Sequence, residues 1–464
     1  MDATLQDALD HQTYSIPALH ELRLECNGGE PVYVTLEDGT AEVFGAEIFK
    51  GERVTVTGQK LAVYTWDGCK LKVEGEPTLA YQADNACNAS YYNLHYSLNG
   101  MREKAFAEGA KARQGAQGQA AAGGEQAPLP AEAQGPRVII VGPTDSGKST
   151  LTKMLLNWAV RSPCPGGAED SRKEHVQSWQ PTFVDLDVGQ GSITAPGCIA
   201  AVPIETQLDI EQGAGALDMP LVYWYAHTSA SDNPELYKFL IDRLAAILDK
   251  RAAASPLAAA SGLVVNTLGW VEGLGYELQI AAIHALKADV VVVMEQDRLY
   301  SQISAELKDV RRPIKVVKLD KSGGVVKREK EDRRAARDGR IKEYFYGVGG
   351  GLNPVTQTVR ADSLMVFRVG GGPRAPTSAL PIGAIATADP LRVTHMPVTP
   401  ELTQGVLAVS HAPTPDQILS TNIAGFVLVR DVDVARGMVT FLAPTPGQLP
   451  GRYLVAGSLR TTIS

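Results

Sequence analysis

Residues 142–150 decide the fold of the central part of the chain: Gly142-Pro-Thr-Asp-Ser-Gly147-Lys148-Ser149-Thr150. They follow the apolar run Val138-Ile-Ile-Val141 and match the G-x-x-x-x-G-K-[ST] phosphate-binding pattern at every constrained position. Apolar residues at helical spacing come next, which predicts a strand, a loop and a helix in that order. The backbone N–H groups of such a loop and the positive end of the helix dipole together bind an anion.

The spacing also predicts what the side chains of this loop do. Lys148 is expected to reach the β- and γ-phosphates of a nucleotide, and the Ser149 hydroxyl is expected to take one position on Mg²⁺. A chance match is disfavoured, because chance would not also supply the preceding strand and the amphipathic helix. The motif alone leaves open where the terminal phosphate goes.

Length, charge and cysteine usage limit the class of protein. The 464 residues exceed one ordinary core, so two or three domains are expected. The net charge of −8 does not exclude nucleic acid, because the potential in a cleft depends on nearby charges. Five scattered cysteines without a C-x-x-C pair, and histidines without ligand spacing, disfavour zinc and a secreted disulfide framework. Without a leader or a membrane-length apolar run, a soluble intracellular protein is expected.

Sequence patterns divide the chain into four regions. From about Leu22 to Tyr81 the sequence shows short alternating segments with turns about every ten residues, which predicts an N-terminal β-sandwich domain over residues 1–100. Residues 101–135 are predicted to contain a helix and a flexible Ala-, Gly- and Gln-rich linker. Residues 136–347 alternate strand and helix, which is typical of an α/β domain with a mostly parallel sheet. Residues 348–464 return to short strands with many Gly and Pro, which indicates a β-rich domain.

Finer features of these regions can also be predicted. Residues 91–108 favour a helix, and residues 162–181 are typical of a polar surface loop. Six segments are strand candidates in the central region: Val138 to Val141, Thr182 to Asp187, Leu221 to Tyr225, Gly262 to Asn266, Val290 to Met294 and Ile314 to Leu319.

An acidic residue ends one of these strands. Asp187 precedes a glycine-rich turn that contains Gln190, and the carboxyl end of a parallel strand faces the ligand crevice. Asp187 is therefore expected to hold Mg²⁺ water or to accept a proton from a nucleophile, and Asp185 would share its face. An isolated aspartate often only caps such a turn, but a phosphate loop also requires a metal-directed acid.

Two later features extend the predicted site. The turn ending in Trp270 follows another strand, and its indole could stack on a nucleobase, although a lone tryptophan more often fills space under a turn. Arg333, Arg337 and Arg340 lie on one predicted helix face after the flexible Ser322-Gly-Gly324. Most charge runs are solvated helix faces, yet a hinged helix with arginines also suits a lid that neutralises a moving phosphate.

Together these motifs resemble the RNA 5′-hydroxyl polynucleotide kinases. They are similar to the branch that is a subunit of messenger-RNA 3′-end cleavage factor and that associates, in animals, with the transfer-RNA splicing endonuclease. The shared motifs occur in the family's order over nearly the whole chain: AEVFG, GPTDSGKST, DLDVGQGS, NTLGW, KSGGVV, RIKEYFYG and AGFVLV. The resemblance implies a β-sandwich, a kinase domain and a β-rich domain, the cofactors ATP and Mg²⁺, a 5′-hydroxyl RNA substrate, cleavage-factor partners, no membrane, and the nucleus.

The resemblance also implies a role for each matching residue. Glu21 and Lys60 would contact the nucleotide from the N-terminal domain, although neither stands out from the sequence alone. The implied ATP-binding loop consists of Asp145, Ser146, Gly147, Lys148, Ser149 and Thr150, with Ser149 and Asp187 holding the metal. Thr267 and Trp270, with Gln190, would bind the RNA end, and Arg333 and Arg337 would be the catalytic arginine pair of the lid, acting beside Lys148 and Asp187.

Two other functions stay open. A catalytically silent scaffold would use ATP to clamp the N-terminal domain to the central one, and it need not keep Asp187, Trp270 or the lid arginines. A GTP-hydrolysing switch would require an N-K-x-D-type guanine motif after the later strands, which the sequence lacks.

Overall fold

The computed structural model describes residues 11–26, 30–117, 130–165, 177–214, 219–370 and 389–463. Within these ranges the chain forms an N-terminal β-sandwich, a central α/β unit and a C-terminal sheet. This arrangement confirms the predicted fold class.

The N-terminal unit consists of two antiparallel sheets. Its strands are β1 (His11–Ile16), β2 (Glu21–Glu25), β3 (Val32–Gly39), β4 (Ala41–Val43), β5 (Ala46–Ile48), β6 (Arg53–Val56), β7 (Lys60–Tyr64), β8 (Cys69–Glu74) and β9 (Leu79–Ala83). One sheet has the order β1-β8-β3-β6 and the other β5-β4-β7-β2-β9. Every second residue is buried along β8 and along β3 as far as Leu36, so apolar side chains from both sheets share one core.

The central unit has helices on both faces of one twisted sheet. Its described strands are β10 (Arg137–Val141), β11 (Thr182–Asp185), β12 (Cys198–Pro203), β13 (Leu221–Trp224), β14 (Leu263–Asn266), β15 (Val290–Met294) and β16 (Lys315–Leu319). Their order is β13-β12-β11-β14-β10-β15-β16. The five strands from β11 to β16 in this order are parallel, whereas β12 and β13 are antiparallel, which confirms the mostly parallel sheet.

Seven α-helices are present in the described ranges: α1 (Asn88–Gln117), α2 (Lys148–Arg161), α3 (Pro234–Ala254), α4 (Pro256–Ser261), α5 (Leu274–Ala285), α6 (Asp297–Glu306) and α7 (Lys330–Tyr346). None of them combines the length and apolar character needed to cross a membrane. The residues of β10, β14 and β15 are buried throughout, as expected for parallel strands covered on both faces. Because β10, β11 and β14 are parallel neighbours, the segments that follow them meet at one sheet edge.

Several predicted boundaries differ from the structure. The six central strands are present with ends that differ by up to two residues, but β12 is an additional strand that the pattern did not predict. The predicted helix over 91–108 is longer, because α1 spans Asn88–Gln117, crosses residue 100 and packs on α2 and α4. Residues 118–129 of the predicted linker lie outside the described residues.

The predicted surface loop at 162–181 is only partly described. Residues 166–176 lie outside the described residues, and the segment after them turns inward. Trp179 is fully buried and meets the Phe106 ring edge-on, with centroids 5.9 Å apart. The prediction of a polar surface loop is therefore wrong for this end of the segment. Burying the large apolar ring of Trp179 stabilises the fold enough to draw in a segment whose other residues are mostly polar.

The C-terminal unit is a single sheet of seven described strands. They are β17 (Val355–Arg360), β18 (Met365–Val369), β19 (Val393–Met396), β20 (Gly405–Ser410), β21 (Ile423–Asp433), β22 (Met438–Ala443) and β23 (Tyr453–Arg460), in the order β17-β22-β21-β20-β23-β18-β19. Phe426 of β21 packs edge-on against Trp224 of the central sheet, with ring centroids 5.3 Å apart. One face of this sheet thus continues the hydrophobic core of the central unit.

Candidate active site

The phosphate loop connects the carboxyl end of β10 to the first turn of α2. Gly147 precedes the helix with φ of 87°, a conformation that favours glycine, and a Cβ there would lie 3.2 Å from Val325. The Lys148 side chain is only 7% exposed. Its Nζ donates to the carbonyl oxygens of Gly142 at 2.9 Å and Pro143 at 2.8 Å. The ammonium group therefore lies against the concave side of its own loop.

The electrostatics of the loop fit an anionic ligand. Burial lowers the pKa of Lys148 to about 8, although the carboxylates of Asp187 and Asp145 act in the opposite direction. The Ser146 hydroxyl is buried, and no described residue provides a hydrogen-bond partner for it. Ser149 is exposed on the first turn of α2, and Thr150 follows it. A bound phosphate would give the Ser146 hydroxyl an acceptor and would stabilise the charged form of Lys148.

Asp187 lies beside the loop, two residues after β11. Its Oδ1 accepts the backbone N–H groups of Gly189 at 3.0 Å and Gln190 at 3.1 Å. Burial raises the pKa of Asp187, and the nearby charge of Lys148 opposes that shift. No hydrogen bond to the other carboxylate oxygen, Oδ2, is formed within the described ranges. One oxygen is thus held by the turn while the other is available to a ligand.

Asp185 holds this turn from beneath. Its Oδ2 accepts the backbone N–H of Ser192 at 2.6 Å, and its Oδ1 accepts Asn266 Nδ2 at 3.0 Å and the Asp187 N–H at 3.1 Å. Burial and then the charge of Asp187 raise the pKa of Asp185 to about 6. Asp185 is therefore a buried support for the turn that carries Asp187 and Gln190.

The lid helix α7 contacts the phosphate loop through its N-terminal end. Arg333 Nη2 lies 3.1 Å from Asp145 Oδ2, and Arg328 Nε lies 3.2 Å from Asp145 Oδ1. Gln190 Nε2 donates to the Arg333 carbonyl at 3.2 Å. The structure therefore brings the predicted lid, the phosphate loop and the turn after Asp187 together.

The other two lid arginines differ from Arg333. Arg337 is half-buried and makes no hydrogen bond or ion pair within the described ranges. Arg340 Nη2 donates to the Ser192 carbonyl at 2.9 Å, and its Nη1 pairs with Glu343 at 2.8 Å. Arg340 thus fastens the helix to the turn after β11, while Arg337 keeps its guanidinium free.

Thr267 and Trp270 lie on the turn that follows β14. Thr267 is buried, and its hydroxyl donates to the Ile140 carbonyl at 2.8 Å. Trp270 is 38% exposed, and a Cβ added at Gly275 would lie 2.4 Å from its ring. The ring is thus supported by the first turn of α5 and partly open to solvent, whereas the Thr267 hydroxyl is engaged within the protein.

Glu21 reaches the site through a chain of contacts. It is buried and accepts Arg23 Nε at 2.6 Å, while Arg23 Nη2 donates to Asn85 at 2.7 Å. A Cβ added at Gly324 would lie 2.9 Å from Arg23, so the glycine turn before α7 packs directly on this arginine. Val325, the next residue, lies beside the phosphate loop, since a Cβ added at Gly147 would be 3.2 Å from its side chain.

Lys60 is placed differently. On the paired strands β2 and β7, Glu21 lies opposite Tyr64, whereas Lys60 lies opposite Glu25 at the other end. Its Nζ pairs with Glu25 at 2.7 Å, and its side chain is 44% exposed. Four residues of extended strand correspond to about 13 Å. The structure therefore does not bring Lys60 into contact with Glu21.

The structure places three further residues at the site that the sequence did not predict: Arg23, Asn266 and Arg328. Arg328 lay within the basic run but off the helical spacing of the other arginines. Asn266 ends an apolar strand, where a polar residue signals the crevice. Arg23 has no sequence signal, because its role depends on a contact between two domains.

The residues present fit one metal ion held mainly by water and phosphate. Ser149 would hold Mg²⁺ and Asp187 would hold a water molecule on it, and the ion would neutralise charge on the phosphates. The described residues contain no group of three or more His, Cys, Asp or Glu side chains that could bind a metal by themselves. All five cysteines lie in described ranges and are free.

Comparison with known families matches three parts of the chain. The profile described as "mRNA cleavage and polyadenylation factor CLP1 P-loop" matches residues 171–347. "Pre-mRNA cleavage complex II protein Clp1" matches residues 352–461, and "N-terminal beta-sandwich domain of polyadenylation factor" matches residues 15–105.

Individual relatives match over almost the whole chain. A "Protein CLP1 homolog" of Arabidopsis thaliana is 47% identical over 95% of this chain and 91% of its own length. The "Polyribonucleotide 5'-hydroxyl-kinase Clp1" of Gallus gallus is 38% identical over 95% of this chain and 94% of its own length. A solved structure of the wild-type Clp1p–Pcf11p complex superposes with a TM-score of 0.77 at 22% identity, covering 97% of this chain and 98% of that one.

Proposed function

This chain belongs to the CLP1 family, and from that premise we propose that it is an ATP-dependent kinase that phosphorylates the 5′-hydroxyl end of RNA. The observation that carries the proposal is the closure of the lid on the phosphate loop, next to Asp187. A protein that merely retains ATP needs the loop, but it needs neither a carboxylate with one free oxygen nor arginines on a hinged helix.

The role that we propose for each element of the site is supported by its contacts. Lys148 would exchange its two carbonyl acceptors for phosphate oxygens, which bind an ammonium group more strongly than neutral carbonyls do. Asp187 Oδ2 would accept the proton of the attacking 5′-hydroxyl, while the turn holds Oδ1. Arg333 and Arg337 would neutralise charge on the phosphate as it moves, and Trp270 would stack on the terminal base.

We also propose that the protein is a subunit of the nuclear machinery that cleaves messenger-RNA 3′ ends. The profile names and the solved complex with Pcf11p support a cleavage-factor partner for this chain. Association with a transfer-RNA splicing endonuclease is a further proposal that rests on the family resemblance. A catalytically silent scaffold is the alternative, since both functions share ATP at Lys148.

Transfer of label from ATP to RNA tests the kinase proposal. Purified protein is incubated with [γ-³²P]ATP, Mg²⁺ and an oligoribonucleotide that ends in a 5′-hydroxyl, and an otherwise identical 5′-phosphorylated oligoribonucleotide serves as the control. We expect label on the first RNA only. ATP binding without label on any 5′-hydroxyl RNA would replace the kinase by the scaffold.

A further inference from the structure

Asp145 is an unusual residue in the phosphate loop. Its backbone has φ of 58°, the left-handed region that non-glycine residues seldom adopt. Its side chain is only 7% exposed. It accepts the Arg328 backbone N–H at 3.0 Å, Arg328 Nε at 3.2 Å and Arg333 Nη2 at 3.1 Å. Both carboxylate oxygens are therefore bonded to the first turn of α7 and to Arg328 just before it.

The position of this carboxylate is electrostatically unfavourable for nucleotide binding. It is near enough to Lys148 to shift the pKa of that group, so it also lies close to the phosphates that Lys148 would bind. Burial opposes its ionisation, but the bonds from Arg328 and Arg333 outweigh burial and lower the pKa of Asp145. A negative charge beside a polyphosphate weakens nucleotide binding, so this carboxylate must serve another purpose. Its bonds to Arg328 and Arg333 indicate that purpose.

We propose that Asp145 is a positioning residue for phosphoryl transfer: it docks the lid by binding Arg328 and Arg333 and so holds the arginines over the phosphate loop. This inference rests on the proposed kinase function and assigns to Asp145 a task distinct from nucleotide binding. Arg328 is the main link, because it contributes both a backbone and a side-chain donor. Arg333 keeps its Nε buried without a hydrogen-bond partner among the described residues, so this nitrogen is available to the transferred phosphate.

The charge can be removed while the backbone conformation is kept. Asn tolerates the left-handed region about as well as Asp does, so Asp145→Asn preserves the loop, whereas alanine would add strain. The matched control is Glu331→Gln, which removes one exposed negative charge from the first turn of α7. Glu331 makes no ion pair within the described ranges.

Two kinetic results are expected from Asp145→Asn. The kcat should fall on the order of 10- to 100-fold, because the arginines lose their docking point, while ATP affinity stays equal or improves. In a double-mutant cycle, Arg328→Ala should add little to Asp145→Asn, since the side-chain bond that Arg328→Ala removes is one of those that depend on the Asp145 carboxylate. An unchanged kcat, or a loss of ATP affinity that accounts for the whole defect, would overturn the proposal.

A second measurement does not depend on catalysis. Hydrogen–deuterium exchange of nucleotide-free protein should show faster exchange over residues 328–336 in Asp145→Asn than in the parent or in Glu331→Gln. Equal exchange in all three proteins would refute docking even if the kinase is active. If the parent transfers no phosphate but the exchange difference is present, the kinase function fails while the docking role of Asp145 stands.

Discussion

The hydrogen-bond partners and the pKa of Lys148 should both change when a nucleotide binds. Its ammonium is almost fully buried, and its hydrogen bonds go to two backbone carbonyls of its own loop. Burial brings its pKa down to about 8. Because phosphates favour the charged form far more than carbonyls do, bound ATP should raise this pKa again.

ATP binding should therefore take up a proton at alkaline pH. At pH 8.5, above this lowered pKa, a substantial fraction of Lys148 in the free protein should be neutral, whereas bound ATP should favour the charged form, so binding should draw protons from the buffer. Calorimetric titrations with Mg·ATP in two buffers of different ionisation enthalpy measure the uptake. It should vanish near pH 7, where Lys148 is charged in both states. Equal binding enthalpies in both buffers at pH 8.5 would contradict this assignment.

The C-terminal half of the lid helix α7 is packed against the rest of the protein, whereas its N-terminal half is mostly exposed. Its C-terminal half buries Ile341 and Phe345, and Tyr344 Oη accepts the Phe426 backbone N–H at 3.0 Å from the C-terminal sheet. Its first three turns are mostly exposed and contact the phosphate loop through Asp145. Motion of the lid should therefore be concentrated in the half that carries Arg333 and Arg337.

Replacing the lid arginines should separate rate from stability. Arg333→Ala and Arg337→Ala should lower kcat on the order of 10³-fold with ATP affinity nearly intact, because these groups act on the transition state. Arg340→Ala should instead lower the free energy of unfolding by about 1 kcal/mol, since it loses its bond to the Ser192 carbonyl. Single-turnover kinetics and urea unfolding measure the two effects. Parent-like rates for Arg333→Ala and Arg337→Ala would show that the lid is not catalytic.

Local sequence patterns predicted the helices, strands and loops that are specified by residues close together in the chain. The strand, loop and helix around Lys148 were predictable because apolar spacing and glycines act over a few residues. Strand β12 was missed because its short Cys-Ile-Ala-Ala-Val-Pro run is stabilised by pairing with distant β11 and β13. Arg23 and the position of Lys60 depend on domain packing and strand register, which local patterns do not encode.

At the scale of the molecule, the N-terminal unit is tied to the far end of α2. Glu42 is buried and accepts Trp158 Nε1 at 3.2 Å and Arg161 Nη1 at 3.1 Å. Arg161 Nη1 also donates to the Gly45 carbonyl at 3.1 Å, and its Nη2 pairs with Glu47 at 2.9 Å. Since α2 begins at the phosphate loop, this interface fixes the helix that carries Lys148.

Arg161→Ala should destabilise the protein by about 1–3 kcal/mol, because the buried Glu42 would lose its guanidinium partner and keep neutral indole donors in its place. Burial already raises the pKa of Glu42, and loss of the guanidinium would raise it further. Urea unfolding of the variant, beside the exposed control Lys250→Ala on α3, measures the difference. A cost no larger than that of the control would show that this contact does not hold the domains together.

The most direct test of the central claim compares ATP binding with phosphate transfer in the same protein preparations. The parent and Asp187→Asn are titrated with Mg·ATP and then followed in single-turnover transfer to a 5′-hydroxyl oligoribonucleotide. The parent should bind ATP and transfer its γ-phosphate, whereas Asp187→Asn should still bind ATP but transfer on the order of 10²- to 10⁴-fold more slowly, because the proton acceptor is gone. A parent that binds ATP without transfer, or an Asp187→Asn variant that transfers at the parent's rate, would contradict the account.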